Sequence, residues 1–185
     1  MKGRALDQNR RRIDVITDDS FADSLQNVAL DELRDRRRLC DKVDTELSYY
    51  RRLLHGRMDL LAFELRRRAG EEEQTLLEAL PRILAEGAYV SSPGLPSHSI
   101  PVEAPDIDRQ GRRIVDRALD DGFLARLPSL SDDELGEIHR FLQEVEIVVS
   151  RQRTDVHTAL DALREELTRR YADGSADPDE ALPSG

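Results

Sequence analysis

The sequence predicts an all-α fold: an antiparallel coiled coil of two long, duplicated helices, with short connecting helices and disordered termini. Three observations carry this prediction. Charged residues make up 36% of the 185-residue chain and aromatics only 4%, with no Trp, a balance that suits long exposed helices better than a thick mixed core. From Leu30 to Arg68 there is no Pro and one Gly, Gly56, in a stretch rich in Leu, Arg, Asp and Glu. And the chain repeats itself: Asp19–Gly70 aligns without a gap on Asp121–Ala172, with identical residues at 17 of 52 positions, well above the background of a composition this biased.

The elements follow in chain order. Residues 1–17 are polar and partly basic and are expected to form a flexible N-terminal segment, ahead of a duplicated helical-hairpin domain over 18–172. Its first repeat, 19–70, contains a helix over 30–68, about 58 Å long at 1.5 Å per residue, with Gly70 as its stop signal. Residues 71–86 read as a shorter helix kinked at Pro81. Pro93, Pro96, Pro101 and Pro105 mark 87–107 as a linker, and a short helix is expected over 108–120, completing a connecting region at 71–120. In the second repeat, 121–172, Ser131-Asp132-Asp133-Glu134 has the pattern of a capping box and opens a helix to about Tyr171. The remainder, 173–185, is acidic and rich in Pro, Gly and Ser, and is expected to be a disordered tail.

Each repeat carries an apolar ladder of period seven: Leu33, Cys40, Leu47, Leu54 and Leu61 in one, Leu135, Leu142, Val149, Val156 and Leu163 in the other. That period is the mark of a coiled-coil seam, so the two helices are expected to pair with each other.

Several functions are excluded or disfavoured. A net charge of −10 argues against direct DNA binding, which needs a basic footprint; the runs Arg10–Arg12, Arg36–Arg38 and Arg66–Arg68 read as solvated helix faces. Cys40, the single cysteine, allows no internal disulfide or multi-Cys zinc site and reads as a buried thiol. No stretch has the length or apolarity of a membrane span or secretion signal, so a cytoplasmic location is expected. Ser48/His55 and Ser150/His157 stand two turns apart and cannot form a nucleophile–base pair, and no Gly-rich phosphate loop is present. The chain is therefore read as a non-enzyme.

Beside each ladder runs a polar stripe that a coiled coil does not require. It comprises Asp44, Ser48, Arg51, His55 and Asp59 in the first helix, and Glu146, Ser150, Arg153, His157 and Asp161 in the second. The five positions fall within an arc of about 80° and span about 22 Å. Four residue types are identical between the copies and the fifth is acid for acid. The neighbouring pairs Tyr49/Arg151, Tyr50/Gln152, Arg52/Thr154 and Leu53/Asp155 have diverged. Antiparallel pairing keeps both stripes on one side of the pair; parallel pairing would separate them. An arginine fork matches guanine O6 and N7 or a phosphate, a carboxylate accepts from guanine N–H groups, and imidazole or guanidinium can stack on a purine. Acids alternating with arginines disfavour a pure phosphate reader.

The paired stripe resembles the duplicated signature of the RsiG family, actinobacterial anti-sigma factors of the sporulation sigma factor WhiG. That signature, E-x3-S-x2-R-x3-Q-x3-D, lies on each of two antiparallel coiled-coil helices and binds cyclic di-GMP. The resemblance covers Asp44–Asp59 and Glu146–Asp161 and the duplicated architecture. It implies that Asp44, Ser48, Arg51 and Asp59, with Glu146, Ser150, Arg153 and Asp161, contact cyclic di-GMP, bound as a dimer that joins the chain to a WhiG-like sigma factor. This sequence departs at His55 and His157, where the signature has Gln, and at Asp44, where it has Glu; the side chains keep their hydrogen-bonding ability, so both histidines stay in the expected ligand set. A shallow helical face covers one side of a nucleotide, so part of the site is expected from the partner.

Two other readings stand beside this one. A coiled-coil protein could contact the transcription machinery without nucleotide. A helical metal site could use His55-x3-Asp59 and His157-x3-Asp161, but it leaves Ser48, Arg51, Ser150 and Arg153 unexplained, and arginine beside a cation is unfavourable. His98, in the linker, and His139 have no comparable partners.

Overall fold

The computed structural model describes residues 12–88, 113–119 and 122–174, and among them all regular structure is helical. The helices are α1 (Arg12–Ile16), α2 (Leu30–Arg68), α3 (Leu76–Ala88), α4 (Arg113–Ala118), α5 (Phe123–Arg126) and α6 (Asp132–Ala172), with single 3₁₀ turns at Leu25–Asn27 and Leu127–Ser129. The long helices α2 and α6 contain 39 and 41 residues, as the uninterrupted helical patterns require. The chain divides into two compact units, residues 1–46 with 151–185 and residues 47–150.

In the first unit, the N-terminal part of α2 and the C-terminal part of α6 pair antiparallel. Leu33, Cys40 and Val43 of α2, and Val156, Leu160, Leu163 and Leu167 of α6, are buried. Burying such a side chain contributes roughly 1.5–3 kcal/mol. The segment ahead of α2 closes over one end through Phe21 and Leu25, both buried. Arg36 holds that segment: its guanidinium lies 5.4 Å from the centre of the Phe21 ring, donates to the Phe21 carbonyl at 2.5 Å, and donates to Glu32 at 2.6 Å. The sequence assigned residues 1–17 to a flexible segment. Here Arg12–Ile16 form a helical turn with Ile16 buried, because one apolar residue found cover that local sequence cannot reveal. Residues 1–11 lie outside the described part.

In the second unit the apolar ladders contribute Leu47, Leu54 and Leu61 of α2 and Leu135, Leu142 and Val149 of α6, all buried. Thus every rung of the two ladders is buried. The helix α3 adds a lateral layer: Ala79 and Ile83 pack with Leu60 and Phe63 of α2, with Leu76 and Leu80 alongside. Its N-terminus is set by a capping box in which the Thr75 N–H donates to Glu78 at 2.8 Å and the Glu78 N–H faces Thr75 Oγ1 at 3.4 Å. The helix therefore begins five residues later than the expected 71, where the Thr75-x-x-Glu78 capping pair sets its start. Pro81 lies inside α3 but on its exposed side, where water can hydrate the carbonyl that loses a helical donor. The connecting helix expected over 108–120 is Arg113–Ala118. The Arg57 guanidinium donates to the Ala118 carbonyl at 2.9 Å, anchoring it. The proline-rich linker falls outside the described residues except for its first two positions, which belong to α3, and the tail falls outside them beyond Gly174.

Both ends expected for the long helices have the local geometry their residues dictate. The α6 capping box is formed, with the Ser131 N–H donating to Glu134 at 2.7 Å and the Glu134 N–H to Ser131 Oγ at 3.3 Å. At the end of α2, Gly70 has φ +78°. Its N–H reaches the Arg67 carbonyl and that of Glu71 the Arg66 carbonyl, a Schellman closure that a left-handed glycine permits without strain.

Candidate ligand site: two acid, arginine and histidine clusters

The stripe residues gather into one cluster per unit, and each cluster draws on both helices. In the unit of residues 47–150, Glu146 of α6 receives Arg51 Nε of α2 at 3.1 Å and meets His55 Nε2 at 3.2 Å. Ser150, one turn along α6, donates to the same oxygen, Glu146 Oε1, at 2.6 Å. In the other unit, Asp44 of α2 receives Arg153 Nε of α6 at 2.9 Å and meets His157 Nε2 at 2.7 Å, again through one oxygen, Oδ1. The acid of one stripe therefore binds the arginine and histidine of the other, in both units and in the same register.

The electrostatics follow from this convergence. Burial is the largest influence on the Glu146 carboxyl and by itself would raise its pKa. Donation by Ser150, His55 and Arg51 outweighs it, and the group stays below the usual glutamate range. The carboxylates are the more covered partners, with 18% of the Glu146 side chain and 27% of Asp44 exposed, against 32% for each arginine. The acid thus lies at the base of each cluster and the basic groups above it. Each arginine spends its Nε–H on the acid, which fixes the plane of the guanidinium and leaves the Nη edge directed elsewhere. A planar fork held in this way is suited to bidentate hydrogen bonding with a guanine edge or a phosphate.

The remaining stripe residues are placed differently. Ser48 is half-buried on α2. Asp59 is exposed, and Asp161, also exposed, lies 3.4 Å from Arg164 one turn away; neither joins a cluster in the structure. Among the described residues, no group of three or more His, Cys, Asp or Glu side chains is arranged to hold a metal ion. No described helix is long and apolar enough to cross a membrane. Cys40 is fully buried and its thiol is pushed up to about 12, chiefly by burial.

A second arrangement repeats between the two copies, at the identical pairs Glu64/Glu166, Arg67/Arg169 and Arg68/Arg170. Glu64 accepts from both Arg67 and Arg68 at 2.8 Å, and Glu166 accepts from Arg169 at 2.8 Å and Arg170 at 2.7 Å. Glu64 is the one charged residue among the buried described side chains. Two members of the runs read as solvated faces, Arg36 and Arg68, are half-buried and hold backbone carbonyls, Arg68 those of Leu127 and Leu130. That reading is corrected for these two; the carbonyls they hold are remote in sequence.

Comparison with known families matches residues 19–84 and 121–184 to the RsiG-like family. The matched segments begin at Asp19 and Asp121, the same two residues that open the internal repeats, and together they cover most of the chain. The chain belongs to the RsiG-like family. This is a regulatory family of the anti-sigma-factor type, which makes a sigma factor the general class of partner. No curated protein shows significant similarity to the chain.

Proposed function

We propose that this RsiG-like chain is a cyclic di-GMP-dependent anti-sigma factor that sequesters a WhiG-like sporulation sigma factor and so represses transcription of its genes. The observation that carries the reading is the acid–arginine–histidine cluster repeated in each unit. A guanidinium oriented through Nε and an imidazole beside it recur with the same partners, while the flanking residues of the two copies differ. Helix pairing alone needs no such constraint. Cyclic di-GMP carries guanine edges and phosphodiesters, the groups that the oriented guanidinium of each cluster can bind. The ligand set on this reading is Asp44, Ser48, Arg51, His55 and Asp59 with Glu146, Ser150, Arg153, His157 and Asp161, and a dimer of the nucleotide is the form the family resemblance supplies. Asp44 and Glu146 act chiefly by orienting the basic groups.

The test is co-purification of the chain with its candidate sigma factor, with and without cyclic di-GMP, using wild type and an Arg51→Ala/Arg153→Ala variant. Complex formation that requires nucleotide and is lost in the folded variant supports the proposal. Association that ignores both nucleotide and arginines identifies a coiled-coil partner working without nucleotide, and the proposal falls. Since the clusters are only partly covered by this chain, equilibrium titration is expected to give much weaker nucleotide binding without the sigma factor than with it.

A further inference from the structure

We propose that the outer side of α3, at Leu77 and Pro81, and a second copy of its motif at 180–183 are two contacts for one kind of partner surface: a basic segment of the sigma factor that also presents apolar side chains. The inference rests on the sigma-factor partner of the reading above and does not depend on the nucleotide.

The internal repeat runs further than the long helices. In the same register, Glu78-Ala79-Leu80-Pro81 of α3 falls on Glu180-Ala181-Leu182-Pro183, four identities in a row. Both segments matched to the RsiG-like family extend past this motif. The capping chemistry repeats as well: Thr75 and Asp177 each stand three residues ahead of the glutamate, where a hydroxyl or carboxylate can cap a helix. The copy at 180–183 lies outside the described residues and is read from its sequence.

Packing within the chain does not account for that copy. In α3, Ala79 and Ile83 are seated on Leu60 and Phe63 of α2. The equivalent positions of α6 are Ala162 and Glu165, the latter exposed, and Ile83 is matched by Gly185. The seat is gone while Glu-Ala-Leu-Pro is kept. Nor does the α3 seat explain Pro81, which is exposed and forfeits a backbone hydrogen bond inside the helix. One turn before it, Leu77 is 82% exposed. Leu77 and Pro81 stand two residues out of phase with the seated pair, so they form an apolar strip on the side of α3 away from α2.

Charge indicates the partner. Residues 71–81 and 173–183 each contain four carboxylates and no Lys or Arg. Glu72 is engaged by Arg66 and Arg82, whereas Glu71, Glu73 and Glu78 are exposed. An apolar strip with an acidic rim suits a segment carrying apolar side chains among Lys and Arg. A sigma factor must present basic surface, because binding promoter DNA requires a basic footprint. A segment held on α3 is withheld from DNA.

The experiment measures affinity of the full chain for the sigma factor, with and without cyclic di-GMP, and sedimentation of each chain alone. The variants are Pro81→Ala, Leu77→Ser, Leu182→Ser and Glu71→Gln/Glu73→Gln. Pro81→Ala removes a helix defect, so α3 amides are expected to exchange no faster while affinity falls about tenfold, the scale of one anchoring side chain. A proline with a merely structural role predicts unchanged or tighter binding. Leu77→Ser and Leu182→Ser are expected to weaken association by a similar factor, and the glutamine variant to flatten its salt dependence. Unchanged affinity in Pro81→Ala, Leu77→Ser or Leu182→Ser overturns the proposal. So does a variant that alters self-association instead of sigma-factor affinity, which would make a second copy of the chain the occupant. If cyclic di-GMP makes no difference but the variants still weaken association, the nucleotide reading fails and this one stands. If wild type binds no sigma factor in either condition, both fall.

Discussion

Arg68 and Arg170, equivalent positions of the two repeats, clamp equivalent backbone. Arg68 donates to the carbonyls of Leu130 at 2.6 Å and Leu127 at 3.2 Å; Arg170 donates to those of Val28 at 2.7 Å and Leu25 at 2.8 Å. In each unit the last turns of one long helix thus hold the 3₁₀ turn that leads into the other. Each guanidinium is oriented by a glutamate one turn back, Glu64 or Glu166. Because hydrogen bonds from charged donors are the stronger kind, Arg68→Ala is expected to cost about 2 kcal/mol. Arg68→Lys should not restore it, since an ammonium lacks the fork that spans two carbonyls. Urea unfolding monitored by circular dichroism measures both.

The same pair of glutamates makes stability depend on acid. Glu64 is held at about 2, first by Arg67, and Glu166 at about 2, first by Arg169, against an ordinary value of 4.5. A carboxyl lowered in the folded state stabilises fully above its unfolded value and loses that contribution as pH falls through the folded one. The melting temperature is therefore expected to decline from pH 4.5 towards 2. A Glu64→Gln/Glu166→Gln variant should be less stable at pH 7 and decline less steeply in acid.

The two capping boxes should separate in their effects. Ser131→Ala removes the cap of a helix that spans half the seam and is expected to cost about 1 kcal/mol of global stability. Thr75→Ala loosens a helix whose apolar packing on α2 runs through Ala79 and Ile83, with Leu76 and Leu80 alongside. Its expected signature is faster amide exchange in α3 with unchanged protection along the α2 seam.

Removing the acid from a cluster tests its orienting role. Glu146→Ala frees Arg51, His55 and Ser150 together. On the proposed function it is expected to weaken nucleotide-dependent association with the sigma factor by about tenfold, the equivalent of one charged hydrogen bond. Helicity should be unchanged, because Glu146 lies off the buried seam. Asp44→Ala should do the same through Arg153 and His157. Full retention of nucleotide-dependent association in both variants would show that the arginines need no orienting partner.

Much of this protein was legible one residue at a time. The lengths of α2 and α6, the Ser131 cap, the Gly70 stop and the burial of both apolar ladders follow from local rules: helical period, capping chemistry, and the need to bury a stripe that repeats every seven residues. The internal repeat also picked out the stripe residues, since two copies within one chain can be compared directly. Where the structure differs from the sequence expectation, the deciding feature is a distant contact or a single capping pair. The turn at Arg12–Ile16 depended on cover for Ile16, whereas the start of α3 was written in Thr75 and Glu78.

Tertiary structure alone decided which side chains meet. Composition and spacing placed Asp44 in line with Arg51, and Glu146 in line with Arg153, on the same stripes. The fold instead joins Asp44 to Arg153 and His157, and Glu146 to Arg51 and His55. It leaves Asp59 and Asp161 exposed at the stripe ends. The physical reason is the axial register of two antiparallel helices. Within each unit that register is set by the packing of apolar side chains from both helices, and no single stretch of sequence contains it.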